Sequence, residues 1–184
     1  MTETELIKKC RQKNPGAQRA LYNLYARKMM GVCMRYTADV ETARDLLQEG
    51  FVTVFTHLND YSGLGSFEGW IRRIMVNTAL QHLRRCVVFT EVSDMMIYET
   101  SFSTEHSVLD TLSAQDLMKM IESLPTGFRT IFNLYAIEGY SHSEIAKMLN
   151  ISEGCSRSQY SRARKQLQER ILAEYGNKYE YAQR

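Results

Sequence analysis

The sequence predicts an all-α protein, built as two small helical domains joined by a flexible linker. Three observations carry that reading. Apolar residues recur at spacings of three and four over long stretches, no strand-like alternation persists, and only two prolines, Pro15 and Pro125, occur in 184 residues. A hydrophobic content of 44% supplies a core for one ordinary domain or two small ones.

The first helix is expected over about "TETELIKKCRQ". The stretch "NPGAQRALYNLYARKMMGVCMRYT" starts a second, with Asn14 as its cap and Pro15 at the first helical position, where a missing N–H costs nothing. Its expected apolar face is Leu21, Leu24, Tyr25, Met29, Val32 and Tyr36. A third helix runs from about Asp39 to Leu58, because Val40, Ala43, Leu47, Phe51, Val54 and Leu58 recur every three or four residues. After the loop "DYSGLGS" a fourth covers about Phe67 to Arg85. The period then lapses in "CVVFTEVSDMMIYETSFSTEHSV", read as a linker with apolar patches at both ends. It resumes in "LDTLSAQDLMKMIESL", pauses at Pro125 and continues through "TGFRTIFNLYAIEGY". The tail "EYGNKYEYAQR" has little to bury and is expected to fray.

Composition excludes several classes. No apolar run approaches the roughly 20 residues of a membrane span, and the N-terminus alternates charge where a signal peptide needs apolar residues, so a soluble cytoplasmic protein is expected. Cys10, Cys33, Cys86 and Cys155 lie far apart without a CxxC pair, which suggests neither a disulfide framework nor a cysteine zinc site. His57, His82, His106 and His142 share no ligand spacing, and there is no HExxH motif or strand-to-helix glycine loop. No metal, cofactor or small-molecule substrate is therefore expected, and the protein is not expected to be an enzyme. The net charge of +2 conceals an uneven distribution. Residues 1–90 hold 13 Lys/Arg against 8 Asp/Glu, residues 91–124 hold one lysine against 7 acids, and residues 125–184 hold 9 against 6. Two basic ends flanking an acidic middle suit two nucleic-acid-facing modules and a connector that repels phosphate.

The segment "SHSEIAKMLNISEGCSRSQYSRARKQL" is the most specific. Ser141 and Glu144 are spaced as a capping box, so a helix begins at His142 with Ile145, Ala146 and Leu149 turned inward. Asn150 ends it, Ile151 plugs the turn, and Ser152 caps the next helix, whose stripe is Tyr160, Ala163, Leu167 and Ile171. That is a helix-turn-helix. The second helix offers Ser156, Arg157, Ser158, Gln159, Ser161, Arg162, Arg164 and Lys165 on its other faces, donors for phosphates or base edges, with the early residues meeting the major groove. A solvated amphipathic face is the plainer alternative. However, such a face mixes signs, and from Cys155 to Gln168 there is no acid at all.

The other module is less decided by spacing. Asp45, Gln48, Glu49 and Val52 lie near one surface of the third helix, which by spacing alone means solvent exposure. On the fourth helix Trp70, Arg73, Asn77 and Arg84 share one side, while Phe67, Ile71, Ile74 and Thr78 fall on another. An indole among arginines and amides suits unstacked bases and the backbone of single-stranded DNA. Trp70 as a core aromatic with arginines snorkelling around it fits the same spacing equally well.

The stretch "DVETARDLLQEGFVTVFTHLNDYSGLGSFEGWIRRIMVNTALQHLRR" resembles region 2 of the extracytoplasmic-function (group IV) sigma factors of bacterial RNA polymerase. "LPTGFRTIFNLYAIEGYSHSEIAKMLNISEGCSRSQYSRARKQLQERI" resembles their region 4. The resemblance spans nearly the whole chain, with both motifs in order. It implies region 2 over 1–86, a linker over 87–110, region 4 over 111–175 and a tail over 176–184. It further implies a transcription initiation factor whose partners are promoter DNA, core polymerase through its beta-prime clamp helices and beta flap, and an anti-sigma factor. By position, Asp45, Gln48, Glu49, Val52 and Phe55 take the polymerase-docking role. Ser62, Gly63, Leu64 and Gly65 match the loop that captures a flipped base of the minus-ten element, and Trp70, Arg73, Asn77 and Arg84 match the segment that contacts and melts it. Glu153, Ser156, Arg157, Ser158, Ser161, Arg162, Arg164 and Lys165 fall in the reader of the minus-thirty-five element. Cys155, Ser156 and Tyr160 depart from the small, aliphatic and leucine residues typical there, so a different DNA sequence is expected to be read. An operator-binding helix-turn-helix regulator that never touches polymerase is the rival reading, although neither a dimerisation surface nor a sensor is evident for it.

Overall fold

A computed structural model describes residues 2–37, 39–86 and 113–176. The residues read as a linker, 87–110, and the tail beyond Gly176 lie outside the described residues, as does the start of the helix expected from Leu109. The chain divides into two compact units, Met1–Cys86 and Val87–Arg184. Among the described residues all regular structure is helical.

The first unit holds four helices: α1 (Glu3–Arg11), α2 (Pro15–Met34), α3 (Val40–Thr56) and α4 (Phe67–Cys86). Their starts are fixed locally. Thr2 and Glu5 form a capping box on α1, the Asn14 side chain accepts from Ala17 N–H ahead of Pro15, and Asp39 accepts from Thr42 N–H. Between α1 and α2 the chain turns through Lys13 at φ 59°, a left-handed conformation closed by Lys13 N–H to Cys10 C=O and Asn14 N–H to Lys9 C=O. Helices α2, α3 and α4 pack on one another around Leu21, Met29, Tyr36, Val54, Phe67, Ile71, Met75 and Leu80, all essentially inaccessible to water. Each such side chain contributes about 1.5–3 kcal/mol relative to exposure. Two positions expected inside are outside. Leu24 is 56% exposed and Val40 43%, because the α2 stripe runs through Ala17, Leu21, Tyr25, Met29 and Cys33, and Val40 stands at the first position of α3, before the stripe begins at Ala43.

The α3–α4 contact depends on one glycine. A Cβ added at Gly50 would collide with Sδ and Cε of Met75, itself fully buried. The Met75 side chain therefore occupies the space that a side chain at position 50 would need.

The second unit comprises α5 (Ala114–Glu122), α6 (Thr126–Phe132) running on into a π-helical turn (Asn133–Ile137), α7 (His142–Leu149), α8 (Glu153–Ile171) and a terminal π-helical turn (Leu172–Gly176). Met120, Ile121, Leu124, Ala163, Leu167 and Ile171 form its core cluster, so α8 is the element the others pack against. Arg129 on α6 is only 6% exposed, and its Nη1 donates to the Glu122 carbonyl at 2.8 Å. A guanidinium here satisfies an otherwise open carbonyl at the end of α5. Burial lowers its pKa, opposed by Glu122. The helix-turn-helix forms as the local signals predict. Ser141 and Glu144 complete the capping box, Asn150 ends α7 in the left-handed region (φ 56°, ψ 50°), and Ser152 Oγ accepts from Cys155 N–H at 3.1 Å.

Gly50→Ala should destabilise the first unit by up to about 1 kcal/mol, because buried Met75 has to repack while the helix gains the better propensity of alanine. Thermal unfolding followed by the fluorescence of Trp70, the chain's single tryptophan, measures this. Adding Met75→Ala should recover part of the loss, and strict additivity of the two changes would rule out the steric account.

Candidate nucleic-acid interface

In the first unit the loop between a 3-10 turn (Leu58–Asp60) and α4 carries Gly63 at φ 82° and Gly65 at φ 80°. A Cβ at either would meet nothing within 4 Å, so backbone conformation rather than crowding calls for glycine there. Between them Leu64 stands 86% exposed at the apex, and Ser62 is exposed beside it. The loop is held from below. Tyr61 Oη donates to the Gly65 carbonyl at 2.9 Å, and Arg11 of α1 donates to the carbonyls of Tyr61 at 2.6 Å and Leu58 at 3.3 Å. Ser66 Oγ then caps α4 through Gly69 N–H at 3.0 Å.

Trp70 is partly exposed and stacks on buried Phe67 at a centroid distance of 5.6 Å, with Tyr61 tilted against it at 5.5 Å. Its ring is thus a supported platform beside the loop, in neither the core nor free solvent. Arg73, Asn77 and Arg84 continue along the exposed side of α4, while Phe67, Ile71 and Thr78 turn inward. On α3, Asp45, Gln48 and Glu49 are exposed, Val52 is 65% exposed, and Phe55 is half-buried against Phe51. A solvent-facing valine amid carboxylates and an amide makes a mixed apolar and acidic surface.

In the second unit the outward side of α8 presents Glu153, Arg157, Arg164 and Lys165, with Ser161 and Arg162 half-exposed. Arg157 Nη2 pairs with Glu153 Oε1 at 2.5 Å, one helical turn back. Three residues expected on this surface are not there. Ser156 is fully buried and Ser158 is 4% exposed, so neither is available to DNA in this structure, and Gln159 is buried as well. Ser156 Oγ lies 2.9 Å from His142 Nδ1, linking the start of α7 to the start of α8.

Sequence reading did not anticipate this junction. His142 stacks on Tyr135 (4.3 Å, 12° between planes) and meets Tyr160 edge-on at 5.7 Å, while Phe132 stacks on Tyr160 at 5.8 Å. The π-helical turn places Tyr135 here, and Gly139 at φ 79° leads the chain on to α7. No periodicity joins residues 14 apart, although an aromatic at each of 132, 135 and 160 was visible. Burial lowers the His142 pKa from its ordinary 6.5, nearby Arg157 lowers it further, and Glu153 opposes. Burial likewise raises that of Tyr160.

Among the described residues no three His, Cys, Asp or Glu side chains converge as a metal site requires, and no helix is long and apolar enough to cross a membrane.

Comparison with known proteins fits this division. The Sigma-70 region 2 family matches residues 21–86 and the Sigma-70, region 4 family matches residues 114–167. The RNA polymerase sigma-H factor of Pseudomonas aeruginosa is 28% identical, over 88% of this chain and 90% of that protein. The ECF RNA polymerase sigma factor SigE of Mycolicibacterium smegmatis is 32% identical, over 81% of this chain and 59% of that longer protein. Among solved structures, the sigma factor RpoE of Bartonella quintana, in complex with the anti-sigma factor NepR, has the same fold with a TM-score of 0.50 at 19% identity, covering 84% of this chain and 96% of that one. The chain belongs to the sigma-70 family, as an extracytoplasmic-function (ECF) sigma factor.

Folded His142 binds its proton less tightly than the unfolded chain does. The second unit is therefore fully stable above about the ordinary value of 6.5 and loses stability as pH falls from there toward the depressed folded value. Melting followed by the near-UV signal of the tyrosine cluster should occur at lower temperature at about pH 5.5 than at about pH 7.5. His142→Asn should shrink that difference, and an undiminished difference would place the titration elsewhere.

Proposed function

We propose that this sigma factor binds bacterial core RNA polymerase, directs it to promoters with two recognised elements, and assists melting of the start-proximal one. The observation that carries this is the separation of faces within each unit: every helix assigned a partner gives one side to its own core and a distinct polar side to solvent. The exposed side of α3, with Asp45, Gln48, Glu49 and Val52 backed by Phe55, docks on the beta-prime clamp helices. Loop residues Ser62, Gly63, Leu64 and Gly65 take a base flipped from the minus-ten element, beside the Trp70 platform. Arg73, Asn77 and Arg84 follow the melted strand.

The second unit reads the minus-thirty-five element with Glu153, Arg157 and Ser161 in the major groove, while Arg162, Arg164 and Lys165 hold phosphates. It also meets the beta flap. The functional division is region 2 over 1–86, a connector over 87–110, region 4 over 111–175 and a tail over 176–184. The protein works in the cytoplasm, where polymerase is, and performs no catalysis itself. By analogy with the solved complex of the Bartonella factor, an anti-sigma protein holds it inactive by covering these same faces.

In vitro transcription on randomised promoter DNA with bacterial core polymerase tests the reading. Starts should depend on the protein and share two spaced upstream elements. Duplex binding without dependent starts would favour an operator-binding regulator instead. Arg157→Ala should relax selectivity at one minus-thirty-five position by about 1–3 kcal/mol. Lys165→Ala should weaken all promoters alike and reduce the salt slope by about one. Equal losses on every promoter for Arg157→Ala would remove it from base reading.

A further inference from the structure

Arg11 lies in the last turn of α1, ahead of the residues matched by the region 2 family, yet its side chain reaches 47 and 50 residues along the chain. We propose that Arg11 is a positioning residue for base selection, fixing the loop of residues 61–66 in the shape that receives a flipped base. The proposal rests on the reading of that loop as a base-capturing element and adds the device that sets its geometry.

Tyr61 is the joint on which the loop turns. Its ring is wedged against Phe67 at 4.9 Å and Trp70 at 5.5 Å, its hydroxyl donates to Gly65 C=O, and its own carbonyl accepts from Arg11 Nη2 at 2.6 Å. Arg11 Nε reaches the Leu58 carbonyl at 3.3 Å, at the start of the turn that buried Leu58 anchors. One planar guanidinium thus clamps both sides of the 3-10 turn, which a single point donor would hold less rigidly. The orientation has a consequence. In a trans peptide C=O and N–H point in opposite directions, so fixing the Tyr61 carbonyl on Arg11 aims the Ser62 N–H away from α1, toward the open loop.

The rest of the loop has few restraints. Gly63 and Gly65 are left-handed with open space around them, Leu64 is exposed, and the Ser62 Oγ contact to Leu64 N–H is long at 3.4 Å. A glycine-hinged loop samples many shapes, and order has to come from its base. Arg11 itself is fixed by the closed turn through Lys13 that follows α1.

The test uses holoenzyme reconstituted from the full chain and bacterial core polymerase. The probes are fork-junction DNAs of a promoter selected as above, intact or carrying a single abasic site at successive minus-ten positions. Wild-type holoenzyme should lose affinity sharply when one position is abasic. Arg11→Ala should lower the intact-to-abasic affinity ratio at that position about tenfold, and Arg11→Lys should restore part of it. A merely structural role for Arg11 would lower both affinities together and leave the ratio as in wild type, and that result overturns the proposal. Should wild-type holoenzyme show no position sensitive to base removal, the base-capture reading itself falls and takes this inference with it. The wild-type control alone distinguishes that failure.

Discussion

The second unit depends on α8 serving two masters along one 19-residue cylinder. Ala163, Leu167 and Ile171 hold it to the core, yet its polar composition leaves few apolar side chains for the task. The contact is completed by Cys155, Ser156, Ser158 and Gln159, which are buried though three of them are polar. A buried hydroxyl or amide is tolerable only where a partner is supplied, and His142 supplies it for Ser156. The aromatic wall of Phe132, Tyr135 and Tyr160 around that contact gives the helix-turn-helix a more polar and ring-rich junction than an aliphatic one. The crossing of α7 and α8 is consequently fixed by directional contacts, which specify an angle better than isotropic burial does.

In the first unit the corresponding constraint is contact distance. With glycine at position 50, the Met75 side chain of α4 packs directly against the backbone of α3. The polar face of α3 and the polar face of α4 then belong to one packed body, whose interior resists compression.

Much of this was legible because it is local. Asn14 with Pro15, Ser141 with Glu144, Asn150 and Ser152 each declare a helix boundary through hydrogen bonds spanning a few residues, and each formed where its spacing put it. Periodicity placed the helices, and its errors came at the margins of stripes, as at Leu24 and Val40. The candidate surfaces were harder. Residue type assigned Ser156 and Ser158 to the exterior, but burial is decided by what packs on a helix from elsewhere, which spacing within that helix does not encode. The same holds for Arg129, an arginine that proves to be an interior cap, and for Arg11, whose carbonyl partners lie far along the chain. Long-range contacts made by polar side chains leave no periodic trace.

The division of α8 into an inward and an outward set of positions bears on how such proteins diversify. Residues 153, 157, 164 and 165 are exposed, and substitutions at exposed positions usually shift stability by no more than about 0.5 kcal/mol. The inner set, by contrast, is coupled to α7 through His142 and the tyrosines. On the promoter-reading role proposed for this face, a lineage can therefore drift through many outward combinations, acquiring new promoter preferences after gene duplication, while the scaffold beneath stays unaltered. The two copies become insulated from one another's targets without either passing through an unfolded ancestor.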